Sequence, residues 1–179
     1  MSEERADDRL SRFDAATEPF PCQEGCTGCC RGVLSLSLPE LQRIETFLGG
    51  VPEPVASVGC PFRRSGGCAV YAVRPFMCRL FGFRYVHPGL RGQSFCPRDE
   101  RWRPGDREAE MFAAYRSFCH QEGFVLLGRT DDPVEGARAG ADNRAMLEAF
   151  PELARWKAFL TGVIPARRGD RLPVDHPAG

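Results

Sequence analysis

Long hydrophobic runs are absent from this sequence of 179 residues. A membrane-spanning helix needs roughly 20 consecutive apolar residues, so we predict that the chain does not span a membrane. Residues 1–20 begin with charged side chains and contain no apolar core of a signal peptide. We therefore expect a cytoplasmic protein.

Histidine is scarce, and the net charge is zero. The three histidines, His87, His120 and His176, do not have zinc-finger spacing, and 24 basic side chains balance 24 acidic ones. Because no nucleic-acid fold motif accompanies this neutral composition, we expect no nucleic-acid partner. The scattered histidines give no Ser–His–Asp or Cys–His arrangement either, so the sequence identifies no catalytic residue.

Charge is unevenly distributed along the chain. Residues 60–103 contain nine arginines but only two acidic side chains. Such guanidinium groups would offset the negative charge of metal-bound thiolates, or they would form an arginine-rich face for an anionic or protein partner. The sequence leaves both interpretations open.

Cysteine, by contrast, is abundant and clustered. Eight of the nine cysteines lie within residues 22–96. A single buried thiol packs as a small hydrophobe, but eight in loop-like segments rich in Gly, Pro and Arg need another explanation. In a reducing cytoplasm they favour metal ligation over disulfides, and complete pairing would leave one of nine unpaired. The predicted metal ligands are Cys22, Cys26, Cys29, Cys30, Cys60, Cys68, Cys78 and Cys96.

The adjacent pair Cys29-Cys30 bears on the identity of the metal. Successive side chains of an extended backbone point to opposite faces, so these two thiols suit paired sites or a cluster better than one tetrahedral zinc ion. Glycines at 25, 28 and 32 allow the tight turns that bring several sulfurs together. We therefore expect an iron–sulfur cluster or iron, with zinc as the close alternative.

The order of these residues carries a family resemblance. Cys26-x-x-Cys29-Cys30 is followed by Cys60-Pro-Phe, by Tyr71-x-x-Arg74-Pro75 with Cys78-Arg79 after it, and by Cys96-Pro97. This pattern closely resembles the zinc- or iron-chelating family named for its CxxCxxCC motif, also called the YkgJ-type cysteine cluster family. The resemblance covers about residues 20–98. One departure is that three residues, not two, separate Cys22 from Cys26.

The resemblance implies a metal-chelating protein, for a family in which most members have no assigned reaction. The family also includes a flagellin lysine N-methylase, so an enzyme related to it, with an iron–sulfur centre, is one alternative. A metal-stapled interaction module is another. The sequence contains no Gly-rich nucleotide loop that would mark a methyl-donor site, and it leaves open whether the protein is an enzyme.

A second pattern is less consistent with the chain. Cys22-x3-Cys26-x2-Cys29 also has the spacing of radical enzymes that bind S-adenosylmethionine on an iron–sulfur cluster. Those enzymes resemble complete or partial βα barrels, which in full need roughly 200 residues or more. This chain lacks alternating strands and helices, and the pattern leaves five other clustered cysteines unexplained.

Three side chains between the ligand positions are expected to support the metal site. Arg74 and Arg79 would hydrogen-bond to sulfurs or loop carbonyls as second-shell groups, together with Tyr71. The alternative is catalytic, with Tyr71 as a proton donor and an arginine as an anion clamp. Cys119, in contrast, lies on an apolar helical stripe with Met111, Tyr115 and Phe118, which predicts a core residue.

Periodicity predicts an α+β fold: a small, irregular cysteine-rich domain with C-terminal helices. Alternating leucines at 34, 36 and 38 predict a strand, and Ser37 with Glu40 predicts a capping box at the start of a helix over 38–48. Further predictions are a turn at Ser65-Gly66-Gly67, short strands at Ala69–Tyr71 and Leu80–Tyr85, a helix over 106–122 closed by Gly123, a strand or turn at Phe124–Leu127, and a helix starting at Pro151 and ending near 161.

Composition divides the chain into four predicted parts. A mobile or loosely docked arm over 1–19 precedes the cysteine-cluster domain over 20–104, in which metal supplies most of the order. A helical extension follows over 105–164, and a disordered tail over 165–179 is rich in Arg, Pro and Gly.

Replacing both Cys26 and Cys29 with serine should remove the bound metal and destabilise residues 20–100, because the metal is expected to order that region. Elemental analysis measures the first effect, and limited proteolysis measures the second. Full metal content in the double variant would contradict the ligand assignment.

Overall fold

The computed structural model of the protein describes residues 5–16, 34–53, 60–82, 106–128 and 133–161. Within them lie helices and two small antiparallel sheets, which confirms the predicted α+β class. The helices and strands are α1 (Ala6–Ala16), β1 (Leu34–Ser37), α2 (Leu38–Leu48), β2 (Arg63–Arg64), β3 (Gly67–Cys68), α3 (Phe76–Gly82), α4 (Asp106–Glu122), β4 (Phe124–Leu127), α5 (Pro133–Ala149) and α6 (Lys157–Thr161), with 3₁₀ helices at Tyr71–Val73 and Pro151–Trp156.

The predicted strand at residue 34 is confirmed as β1, which pairs antiparallel with β4. Leu34 lies opposite Leu127, and Leu36 lies opposite Val125. These four side chains are buried, because a strand directs alternate residues to the same face of its sheet. The pairing of β1 with β4 therefore places one apolar face against the main core.

The predicted helix over 38–48 is confirmed as α2. Its capping box is present, since Glu40 Oε2 accepts hydrogen bonds from the Ser37 backbone N–H and from Ser37 Oγ, each at 2.8 Å. Pro39 lies in the first turn, where a missing N–H costs little. Gly49 ends the helix in the left-handed conformation, with φ of 73°.

The main core joins segments from both sides of the predicted boundary near residue 104. Its members are buried apolar side chains from β1, α2, β4 and the segment 60–70, together with side chains from the C-terminal helices. Two consecutive parts of the chain that share a core stabilise each other. The boundary itself falls outside the described residues and stays a prediction.

Asn143 of α5 completes the hydrogen bonding of β4. Its Oδ1 accepts from the Leu126 N–H at 2.9 Å, and its Nδ2 donates to the Leu126 and Leu160 carbonyls at 2.7 and 2.9 Å. A buried backbone group without a partner is costly. The Asn143 side chain therefore satisfies the Leu126 backbone N–H and carbonyl, as a neighbouring strand would. It also ties α6 to the sheet.

The described part of the predicted N-terminal arm is the docked helix α1. Leu10 is 1% exposed. The centre of the Phe13 ring lies 5.1 Å from the centre of the Phe76 ring and 5.6 Å from that of the Tyr115 ring. The helix therefore packs against the fold where the sequence predicted a mobile or loosely docked arm. Two large apolar side chains in eleven residues are too few to give a periodic signal, yet both pack against the core.

The short strands predicted after Cys68 are wrong where the structure describes them. Strand β3 ends at Cys68, and Val73 N donates to the Val70 carbonyl at 3.0 Å to form the first 3₁₀ helix. Residues 80–82 belong to α3 instead, which begins directly after Pro75. Residues 83–85 of the predicted strand lie outside the described residues.

The C-terminal predictions are largely confirmed. Helix α4 ends at Glu122 before Gly123, and Phe124–Leu127 is a strand rather than a turn. Pro151 occupies the first turn of the second 3₁₀ helix, and α6 ends at Thr161. In the part of the chain that the structure describes, no helix is both long and apolar enough to cross a membrane.

Gly123→Ala should destabilise the protein by about 2 kcal/mol, because φ is +82° and an added Cβ would lie 2.9 Å from Met146 Cε and 3.0 Å from Leu38 Cδ1. Gly66→Ala is the matched control, since a Cβ there meets only open space. Urea unfolding of both variants measures the difference. Equal stabilities would contradict the proposed strain at Gly123.

Candidate metal centre

The described segment 60–82 contains three of the predicted ligands. The turn predicted at Ser65-Gly66-Gly67 is confirmed over 65–66, whereas Gly67 begins β3. The turn joins β2 to β3 so that Arg63 pairs with Cys68. The Arg63 N–H also donates to the Cys60 carbonyl at 3.2 Å. The hairpin therefore places Cys68 beside the turn that begins at Cys60.

Cys78 follows in the first turn of α3. The Arg79 N–H donates to the Pro75 carbonyl at 3.2 Å, which closes that turn around Cys78. Cys60 belongs to the main core, and Cys68 and Cys78 are partly buried against it. All three cysteines thus belong to the main core or pack against it.

These thiols fit a zinc or iron centre by their chemistry, because thiolates are preferred ligands of both. Among the residues that the structure describes, no group of three or more Cys, His, Asp or Glu side chains is arranged to hold a metal ion. The other predicted ligands lie outside the described residues: Cys22, Cys26, Cys29, Cys30 and Cys96.

Tyr71 and Arg74 contact each other in the segment between Cys68 and Cys78. The Arg74 guanidinium carbon lies 3.5 Å from the centre of the Tyr71 ring, a cation–π contact. The contact spans the end of the first 3₁₀ helix, immediately before Pro75. It fixes the path of the chain from the hairpin into α3.

Arg79 is buried beside Cys78. Its Nε donates to the Arg74 carbonyl at 3.4 Å and lies 3.2 Å from Asp14 Oδ1 of α1. Asp14 also forms an ion pair with Arg43 of α2, at 2.6 Å. A buried guanidinium requires such partners, so Asp14 links α1 and α2 to the start of α3. No feature of the sequence indicated Asp14.

Glu40 is a second residue whose full role the sequence did not reveal. Besides its capping box, its Oε1 accepts from the Phe76 N–H at 2.7 Å, and its Oε2 accepts from the Tyr115 hydroxyl. Burial raises the pKa of Glu40, although all of these hydrogen bonds oppose that shift. The pKa of Tyr115 is also raised, mainly by burial and further by the Glu40 charge.

Cys119 lies in a second core cluster, which consists of Leu10, Phe76, Tyr115, Phe118 and Cys119. Burial raises the pKa of its thiol to about 12, so the thiol stays protonated near neutral pH. Metal ligation requires a thiolate. The burial of Cys119 therefore agrees with the prediction of a core residue.

Comparison with known proteins gives one match. Residues 21–120 match the CxxCxxCC family, which is described as a zinc- or iron-chelating domain. The match spans more than half of the chain and includes all eight predicted ligands. It also runs past residue 104 into α4. No curated protein and no solved structure matches the chain significantly.

Cys119→Ala should leave the metal stoichiometry unchanged and cost about 1 kcal/mol of stability, because it removes only a small buried group. Metal analysis and thermal unfolding measure the two effects, with Cys78→Ala as the comparison. If Cys119→Ala loses as much metal as Cys78→Ala does, α4 contributes a ligand and the assignment is wrong.

Proposed function

Since the chain belongs to the CxxCxxCC family of zinc- or iron-chelating domains, we propose that it binds metal through its clustered cysteines, beside the start of α3. The ligands come from the first cysteine group, Cys22, Cys26, Cys29 and Cys30, and from the segment that carries Cys60, Cys68, Cys78 and Cys96.

One observation carries the proposed location. The first cysteine group lies between α1 and β1, and both of these elements are held against α3. Asp14 of α1 pairs with Arg79 at 3.2 Å, and β1 contacts α3. The elements before and after the first cysteine group therefore both contact the helix that carries Cys78, which supports convergence of the two cysteine groups.

For the metal itself, we propose an iron–sulfur cluster or iron, with zinc as the alternative. The adjacent thiols of Cys29 and Cys30 support a cluster or paired sites. An iron–sulfur centre would supply one-electron chemistry, whereas a zinc ion closed by four thiolates would supply structural stability. In either case the positive charge of Arg79, one residue after Cys78, would offset the charge of the thiolates.

Three of the arginines that the structure describes in this region make contacts within the fold. Arg74 lies over the Tyr71 ring, and Arg79 is buried against Asp14. Arg64 donates to the carbonyls of Pro61 and Arg63, at 2.9 and 2.8 Å. Each of these three guanidinium groups therefore has a partner within the fold. An anionic or protein partner at the arginine-rich face stays a prediction.

Anaerobic purification of the full chain, followed by elemental, sulfide and absorption analysis, tests the proposal. We expect iron, sulfide and visible absorption, and we expect Cys78→Ser to lose metal while Cys119→Ser, the matched control, retains it. A colourless preparation rich in zinc and free of iron and sulfide would select the alternative metal. Wild-type protein without metal would refute chelation.

A further inference from the structure

The buried carboxylate of Glu40 joins parts of the chain that are far apart in sequence. Its side chain receives hydrogen bonds from Ser37 at the start of α2, from Phe76 at the start of α3 and from Tyr115 of α4. Four donors meet two oxygen atoms. Glu40 is 3% exposed, so water does not replace these donors.

The bond to Phe76 satisfies a backbone donor at the start of α3. The first N–H groups of a helix have no partner within it, and a polar side chain just before the helix normally accepts from the second or third of them. The residue in that position is Pro75, whose side chain has no acceptor. Glu40 Oε1 instead accepts from the first of these N–H groups, at 2.7 Å from the Phe76 nitrogen.

The start of α3 is also fixed by packing. Phe76 is 1% exposed, and its ring lies 4.6 Å from the ring of Tyr115, which donates to the same carboxylate. The main chain and the side chain of Phe76 are thus held by one connected group. Cys78 lies two residues further along, in the turn closed by Arg79 and Pro75.

We propose that Glu40 is a positioning residue for the metal centre: by holding the Phe76 N–H, it sets the first turn of α3 and so the place of the Cys78 thiol. This inference rests on the proposed function, in which Cys78 is a metal ligand. Groups that orient metal ligands without touching the metal typically change affinity about ten- to a hundredfold when they are removed.

The test uses Co²⁺, whose thiolate complexes absorb in the near-ultraviolet and visible range. The full chain is stripped of metal and loaded with Co²⁺ under anaerobic conditions. Glu40→Gln keeps the size of the side chain but places an NH₂ group among donors. Glu45→Gln is the matched control, because Glu45 lies on the same helix and binds Arg155 and Trp156 instead, at 2.9 and 3.0 Å.

We expect Glu40→Gln to weaken the sulfur-to-cobalt absorption and to release Co²⁺ to a chelator about tenfold faster or more. Glu45→Gln should keep the wild-type spectrum even if it lowers the melting temperature. A wild-type spectrum and release rate in Glu40→Gln would overturn the inference, whatever the loss of stability.

The Cys78→Ser variant distinguishes failure of this inference from failure of the proposed function. If Cys78→Ser changes the Co²⁺ spectrum and Glu40→Gln does not, only the positioning role of Glu40 fails. If Cys78→Ser leaves the spectrum unchanged, the proposed function fails at this ligand.

If Glu40→Gln does not fold, hydrogen exchange in the metal-stripped wild type tests the inference instead. Slow exchange of the Phe76 amide supports a preformed helix start, and exchange at the rate of an exposed amide overturns it.

Discussion

The described fold depends on placing one carboxylate, Glu40, in an apolar interior. Such a group is costly to bury unless donors surround it, so Ser37, Phe76 and Tyr115 must all keep their positions around it. These residues belong to the starts of α2 and α3 and to the middle of α4. The need of Glu40 for these donors thereby fixes α2, α3 and α4 relative to one another. Helix α3 carries Cys78, a predicted metal ligand.

Around this group, the cysteine-bearing segment takes support from the helices. Its periodicity is weak, and the sequence suggested that metal supplies most of its order. The structure shows in addition that Phe62 and Val70 reach into the main core and that Phe76 is held by Glu40. On the other side, Asp14 ties α1 to Arg79. The described part of this segment is therefore held by contacts within the protein as well.

The predictions that succeeded rest on interactions over a few residues. The capping box of Ser37 and Glu40 and the helix end at Gly123 involve near neighbours in the chain, so their chemistry can be read locally. The predicted strands at Ala69–Tyr71 and Leu80–Tyr85 failed where described, because short apolar runs are ambiguous. Helix α1 was missed because Leu10 and Phe13 are the only large apolar side chains on its buried side, and their burial depends on a surface built by α3 and α4.

The sequence by itself determined the family, the thiol chemistry of the predicted ligands and the local helices and strands, since each follows from residue type and short spacing. Tertiary structure alone decided that β1 pairs with β4, that Asp14 meets Arg79 and that Glu40 meets Phe76 and Tyr115. Residues this far apart in the chain carry no mutual signal in a single sequence. Their contacts arise because burying the apolar faces of α1, α2 and α4 together brings these polar groups out of water and next to one another, where each needs a partner.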